Sequence, residues 1–236
     1  MTNRAPPEYR PWVERLNALG ENLGSGGPAL VSLEAATVLE AARTATGLDD
    51  FGDPGFLEPL GILCNALREE ARLTLLGRLM IRAEIQRLLQ NRLRIQELFT
   101  SQPEILEREI KAPLFVTGLG RSGTTFLHEL LWQDPENRVP LLWEMLYPVP
   151  TPDSAGASAD ARAAASQREI TLMDEIIPAF TAMHENGGAL PSECIFIFAH
   201  LFQSDLWLGE FQIPSYAAWK TAADAEHPGE QANNQA

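Results

Sequence analysis

The stretch Pro113-Leu114-Phe115-Val116-Thr117-Gly118-Leu119-Gly120-Arg121-Ser122-Gly123-Thr124-Thr125-Phe126-Leu127-His128-Glu129-Leu130-Leu131 reads as a short buried strand, a glycine-rich turn and the opening of a helix. Gly118, Gly120 and Gly123 let the backbone bend tightly and come close to a ligand. The first amides of the following helix then turn their unpaired N–H groups toward the same point. Arg121 adds a permanent positive charge, so the segment has the makings of an anion pocket. The plainer alternative is an ordinary glycine-rich joint between a strand and a helix. It has to accommodate three glycines, one arginine and three hydroxyl residues within the eight positions from Gly118 to Thr125.

The spacing Gly118, four residues, Gly123, Thr124, Thr125 is that of a phosphate-binding P-loop, except that Thr124 stands where a nucleoside triphosphatase needs lysine. The run Gly-Leu-Gly-Arg-Ser-Gly-Thr-Thr resembles the 5′-phosphosulfate loop of sulfotransferases that use 3′-phosphoadenosine 5′-phosphosulfate (PAPS), in particular the bacterial and tyrosylprotein-type group. Softer likenesses follow in the expected order: Asn137-Arg-Val-Pro-Leu-Leu-Trp-Glu144, Leu190-Pro-Ser-Glu-Cys194 and Pro214-Ser-Tyr-Ala-Ala-Trp219. The resemblance implies an α/β fold with a P-loop-type parallel sheet, here with few strands and incomplete, preceded by a helical region and helix-rich overall. It divides the chain into a helical region over 1–110, a partial sulfotransferase domain over 111–220 and a disordered tail over 221–236.

Composition bounds the rest. The chain has 236 residues, 45% of them hydrophobic, which suits one domain with a real core or one domain plus a helical extension. With 18 Lys and Arg against 32 Asp and Glu, the net charge of −14 argues against nucleic acid or an anionic membrane as a partner. Apolar runs are broken by Arg, Glu or Gln before the roughly 18 residues that a bilayer span needs. The N-terminus carries no apolar signal core, so a cytoplasmic setting is expected. Cys64 and Cys194 lack metal-type spacing and are expected to be reduced, buried thiols.

Local signals sketch the elements. Ser32 before Leu33–Leu39 and Gly47 after Thr46 bracket a helix, and one long helix or a helix pair runs from about Leu57 to Phe99. Ile81, Ile85, Leu88, Ile95 and Phe99 lie on one stripe, and the arginines between them read as a solvated face. Pro135 ends the helix after the loop near Trp132. Val139 to Trp143 is a candidate second strand, while Thr151–Ser166 reads as a loop passing into a helix. Amphipathic helices are expected over Ile170–Met183 and Cys194–Leu208. Thr221–Ala236 offers alanine as its only apolar residue and is expected to lack structure.

Sulfuryl transfer, as the resemblance implies it, is mostly positioning and charge stabilisation. The amides from Arg121 to Thr125, with the hydroxyls of Ser122, Thr124 and Thr125 and the glycines Gly118, Gly120 and Gly123, would hold the 5′-phosphate of PAPS. The Arg121 guanidinium would offset charge growing on the bridging oxygen, and no metal is required. A hydroxyl acceptor needs a base. Glu144 is the candidate, since it follows the expected second strand at the carboxyl edge of the sheet, and tyrosylprotein-type enzymes carry a glutamate base in a comparable place. A surface or helix-capping carboxylate is the alternative for Glu144. His184-Glu185 before Gly187-Gly188 could line an acceptor cleft or form a structural pair, and His128 sits on the helix behind the loop. The acceptor implied is a small or lipid-like hydroxyl compound; oligomeric state is left open.

Nothing after Glu144 resembles the Arg-Asp-Pro segment and serine with which the family holds the 3′-phosphate. The chain is therefore expected to be an N-terminal portion of a longer enzyme, with little activity alone. A P-loop kinase or NTPase, and a non-catalytic helical interaction protein, are the alternative readings.

Overall fold

The described helices run in the order α1 (Pro11–Leu23), α2 (Ala35–Thr46), α3 (Leu57–Glu69), α4 (Leu75–Ser101), α5 (Thr124–Trp132), α6 (Leu142–Leu146), α7 (Ala159–Ile176), α8 (Ile195–Phe198), α9 (Leu206–Glu210) and α10 (Pro214–Glu226). They belong to a computed structural model that describes residues 9–24, 30–119, 122–150, 159–179 and 187–226. Helix α4, 27 residues long, is the spine. Thr74 caps it by accepting a hydrogen bond from the Gly77 amide at 3.2 Å, and Leu76, Ile81, Ile85, Leu88, Leu89 and Leu93 bury its inner face. Each of these leucines and isoleucines stabilises the fold by roughly 1.5–3 kcal/mol through removal from water.

Of the two residues expected to bracket α2, Gly47 stops it, whereas the N-cap position falls to Glu34, not Ser32, and carries no side-chain cap. Ser32 Oγ accepts from the Glu34 amide at 3.2 Å, and Gly47 takes the left-handed conformation at φ 70° while its amide closes on Arg43 O. The segment from Leu57 to Phe99 is the helix pair α3 and α4. Helices α2, α3 and α4 enclose one core cluster with residues from far along the chain: Ala199, Phe202, Trp207, Ile213 and Tyr216. The Tyr216 hydroxyl donates to Phe202 O at 2.8 Å, which lets a phenol sit inside. A smaller cluster joins Val13 of α1, Leu76 of α4 and Ile176 of α7. Buried cores therefore draw on both sides of residue 110.

The arginines of α4 depart from the expected solvated face. Arg92 falls in register with the apolar stripe and donates to Phe51 O at 3.0 Å, Asp53 O at 2.9 Å and His200 O at 3.2 Å. Its guanidinium lies 4.0 Å from the centre of the Phe56 ring. Arg82 donates to Ser32 O and Arg87 to Leu146 O. Carbonyls at the ends of neighbouring elements need donors when they leave water, and a planar guanidinium can serve several at once.

Two expectations about strands change. Residues 113–118 form no regular element and no strand is found among the described residues, so the parallel sheet is not seen in them. A strand requires a neighbouring backbone to pair with, and no described hydrogen bond ties residues 113–118 to another segment. Val139–Trp143 is not a strand either: it contributes a single bridge, Leu141 to Pro191, before α6 begins. At the far end, Thr221–Glu226 continue α10 instead of losing structure. Alanine is the best helix former, and Lys220 pairs with Asp224 one turn on at 2.8 Å. Residues 227–236 lie outside the described residues.

Candidate functional site

The glycine loop is built by closure on itself. The Ser122 amide donates to Leu119 O at 3.1 Å, which bends the chain back. Gly123 then sits at φ 94° as the residue before α5, a conformation that glycine adopts without strain. A Cβ placed on Gly118 would come within 2.8 Å of Ser122 Oγ and 3.1 Å of Thr124 Cγ2, so the two ends of the loop touch and a side chain there would displace both groups.

Helix α5 opens onto this bend without a side-chain cap. Its first internal bond is from the Leu127 amide to Gly123 O, so the amides of Thr124, Thr125 and Phe126 have no described partner. Bare donors at the positive end of a helix, with exposed Ser122 and Thr125 hydroxyls beside them, form a setting for an anion. Gly120 and Arg121 lie outside the described residues. His128 is half-buried on α5; His184 and Glu185 lie outside the described residues.

Glu144 stands in the first turn of α6. Its Oε2 accepts from the Leu141 amide at 2.9 Å, closing the turn as a capping carboxylate, and its Oε1 receives Arg138 Nη2 at 2.8 Å. Both oxygens are engaged in this arrangement, and Arg138 itself is largely exposed.

Two of the three softer sequence matches, almost fifty residues apart, come together at this point. The Leu142 amide donates to Leu190 O and the Trp143 amide to Gly188 O, each at 2.9 Å, while the Ser192 amide donates to Pro140 O at 3.2 Å. Gly188 in turn is pressed onto α7: a Cβ there would lie 2.6 Å from Gln167 N and 2.8 Å from Ala163 O. Gln167 Oε1 accepts the Gly188 amide at 2.9 Å. Sequence reasoning did not join these segments, because nothing in either one specifies its partner.

A partly buried polar cluster behind α6 also went unread. Arg87 pairs with Glu84 at 3.6 Å and Glu169 at 3.7 Å. The Tyr147 hydroxyl donates to Glu169, and Leu146 O accepts from Asn91 at 2.9 Å. Burial raises Glu84 above the usual carboxylate range, against the pull of Arg87. Next to it, His200 Nδ1 faces the carbonyls of Phe196 and Ile197 at 3.1 and 3.2 Å, so that nitrogen carries the proton. Its Nε2 then accepts from Asn91 Nδ2 at 3.1 Å. Burial first and the Arg87 charge second push His200 down to about 4. This neutral histidine is a structural group. No cluster of three or more His, Cys, Asp or Glu suited to a metal occurs among the described residues, and none of their helices is long and apolar enough to cross a membrane.

Residues 113–230 match the family described as the sulfotransferase family. Among solved structures, the chain is similar to sulfotransferase STF1 of Mycobacterium tuberculosis H37Rv, with 33% identity, a TM-score of 0.65 and coverage of 78% of this chain and 51% of that one. It is also similar to sulfotransferase STF9 of Mycobacterium avium, with 26% identity, a TM-score of 0.66 and coverage of 78% and 48%. The chain thus spans about half the length of these neighbours. No curated protein matches it.

Proposed function

The chain belongs to the sulfotransferase family, and on that premise we propose that its glycine loop binds PAPS and serves sulfuryl transfer to a hydroxyl of a small or lipid-like acceptor. The observation that supports this reading is the closed bend at Gly118 in front of the uncapped start of α5. In this proposal Gly118, Gly120 and Gly123 keep the backbone close to the ligand. The amides and hydroxyls of Ser122, Thr124 and Thr125 bind the 5′-phosphate, and Arg121 neutralises it. PAPS would supply the activated sulfuryl group and a phosphate leaving group. The remaining work is positioning and charge stabilisation by these side chains, with no metal in the scheme.

Glu144 is proposed as the base through its Oε1, the oxygen that now holds exposed Arg138, while Oε2 keeps the cap on α6. Thr124 in the lysine position weighs against the kinase or NTPase reading. A cytoplasmic setting is proposed with the two free thiols, of which Cys64 is buried and pushed up to about 12.

The test is calorimetric titration of the protein with the desulfo-donor 3′-phosphoadenosine 5′-phosphate, with Mg-ATP as the comparison. The desulfo-donor should bind, and Arg121→Ala should weaken it by about 1.5–3 kcal/mol, the range for a charged hydrogen bond. Preference for Mg-ATP, or binding indifferent to Arg121, overturns the proposal.

A further inference from the structure

Glu144 rides on a helix too short to hold itself. α6 has five residues, so where it lies is decided by what grips its two ends. The leading end is tied by the amides of Leu142 and Trp143 to Leu190 O and Gly188 O. The trailing end has no such backbone partner: residues 148 and 150 are prolines, so neither Glu144 O nor Leu146 O can find the amide that a longer helix would supply. Side chains take over. Leu146 O accepts from Asn91 Nδ2 at 2.9 Å and from Arg87 Nη1 at 3.2 Å. Just beyond it, Arg162 Nη1 donates to Tyr147 O at 2.9 Å and to Pro148 O at 3.1 Å.

Asn91 is the decisive grip on Leu146. It is 2% exposed, and both hydrogens of its amide nitrogen are committed, one to Leu146 O and the other to His200 Nε2 at 3.1 Å. An oxygen in that place would face the Leu146 carbonyl, so the nitrogen belongs there and His200 Nε2 is the accepting atom. That agrees with the proton on Nδ1, which faces the carbonyls of Phe196 and Ile197. Each group thus sets the next. The two carbonyls choose the tautomer of His200, the tautomer chooses the face that Asn91 presents, and Asn91 holds the chain two residues past Glu144. Arg87 is the weaker grip on the same oxygen, because its guanidinium is also drawn toward Glu84 and Glu169.

We propose that Asn91 is a positioning residue for Glu144: the relay from His200 through Asn91 to Leu146 O fixes the seat of α6, and with it the place of the carboxylate. Its meaning for catalysis rests on Glu144 being the base, whereas the seat itself is measurable without turnover.

The test is native-state amide exchange, followed by NMR on the full chain. The Leu141 amide reports the carboxylate directly, since Glu144 Oε2 accepts it, and the amides of Leu142 and Trp143 report the leading end. Each rate is read as a ratio to that of Leu88, a buried position in the middle of α4. Asn91→Leu, similar in volume but without a donor, and the smaller Asn91→Ala should each raise the three ratios about tenfold or more. Leu63→Ala, a core change on α3, lowers stability without touching α6 and should not raise them. His200→Gln, whose side-chain carbonyl can accept the same Asn91 hydrogen, should keep them within about twofold of the parent. Unchanged ratios in both Asn91 variants, an equal rise in Leu63→Ala, or a rise in His200→Gln as large as that in Asn91→Leu would each overturn the proposal. Ratios that move as expected while Glu144→Gln leaves sulfate transfer unchanged would remove the base reading and leave the seat of α6 established.

Discussion

Acidification should destabilise this protein through one histidine, and the size of the effect follows from its surroundings. His200 is held neutral: Nδ1–H faces two carbonyls and Nε2 accepts from Asn91. Its pKa falls from the ordinary 6.5 to about 4. The unfolded chain therefore takes up a proton near pH 6.5 that the folded chain refuses until about pH 4. The sign follows from linkage. Where the unfolded state binds more protons, stability rises with pH, so the contribution is complete above pH 6.5 and is lost as pH falls toward 4. One proton contributes about 1.4 kcal/mol per pH unit, or roughly 2 kcal/mol between pH 6.5 and pH 5. The assay is urea unfolding at pH 7, 6 and 5 for the parent and His200→Gln, which keeps polar groups but cannot ionise. The parent should lose about 2 kcal/mol more than the variant by pH 5, a midpoint difference of roughly 0.7–1 M at a slope of about 2–3 kcal/mol per molar urea. Parallel pH profiles for the two proteins would refute the assignment of His200 as a buried neutral group.

Other outcomes are accessible with single substitutions. Gly188→Ala should cost about 1–3 kcal/mol or more in chemical denaturation, since its Cβ meets backbone atoms of α7 that cannot step aside. Gly118→Ala should leave stability nearly unchanged, because the loop is exposed, yet lower affinity for the desulfo-donor about tenfold or more in calorimetry. Equal affinity would separate the closed bend from donor binding. Glu144→Gln retains a capping group for the Leu141 amide. If Glu144 is the base, sulfate transfer in an active assembly should fall by about 10²–10⁴ with little loss of melting temperature; unchanged transfer would leave it a cap. Arg92→Lys should destabilise by about 2–4 kcal/mol, because one ammonium cannot serve three carbonyls and a ring at once. A thiol reagent should label exposed Cys194 in the native protein and reach buried Cys64 only on unfolding.

What the sequence disclosed was chiefly what neighbouring residues decide. Gly47 stops α2, Pro135 bounds α5 and the glycines shape the loop, and each acts within a few positions of itself. Val139–Trp143 misled because five apolar and extended-looking residues satisfy a strand and the entry to a short helix equally. The capping bond from the Leu141 amide to Glu144 decided for the helix. That bond also gives Glu144 a structural task that a reading by position alone had left open. The arginines misled for a different reason: their spacing on α4 is visible, but the carbonyls they serve at Ser32, Phe51, Asp53, Leu146 and His200 lie scattered along the chain. Likewise the pairing of residues 140–143 with 188–192 depends on register between distant segments, which no local pattern encodes.

The stitching of guanidinium groups to neutral carbonyls sets how the molecule should respond to its ionic environment. Arg82, Arg92 and Arg162 fasten peptide oxygens instead of depending on carboxylates. Dissolved electrolyte weakens attraction between exposed opposite charges far more than short contacts to uncharged dipoles in the interior. It also damps the mutual repulsion of a surface carrying fourteen surplus negative charges. Added sodium chloride should therefore leave these carbonyl contacts in place while it weakens an exposed pair such as Arg138 with Glu144.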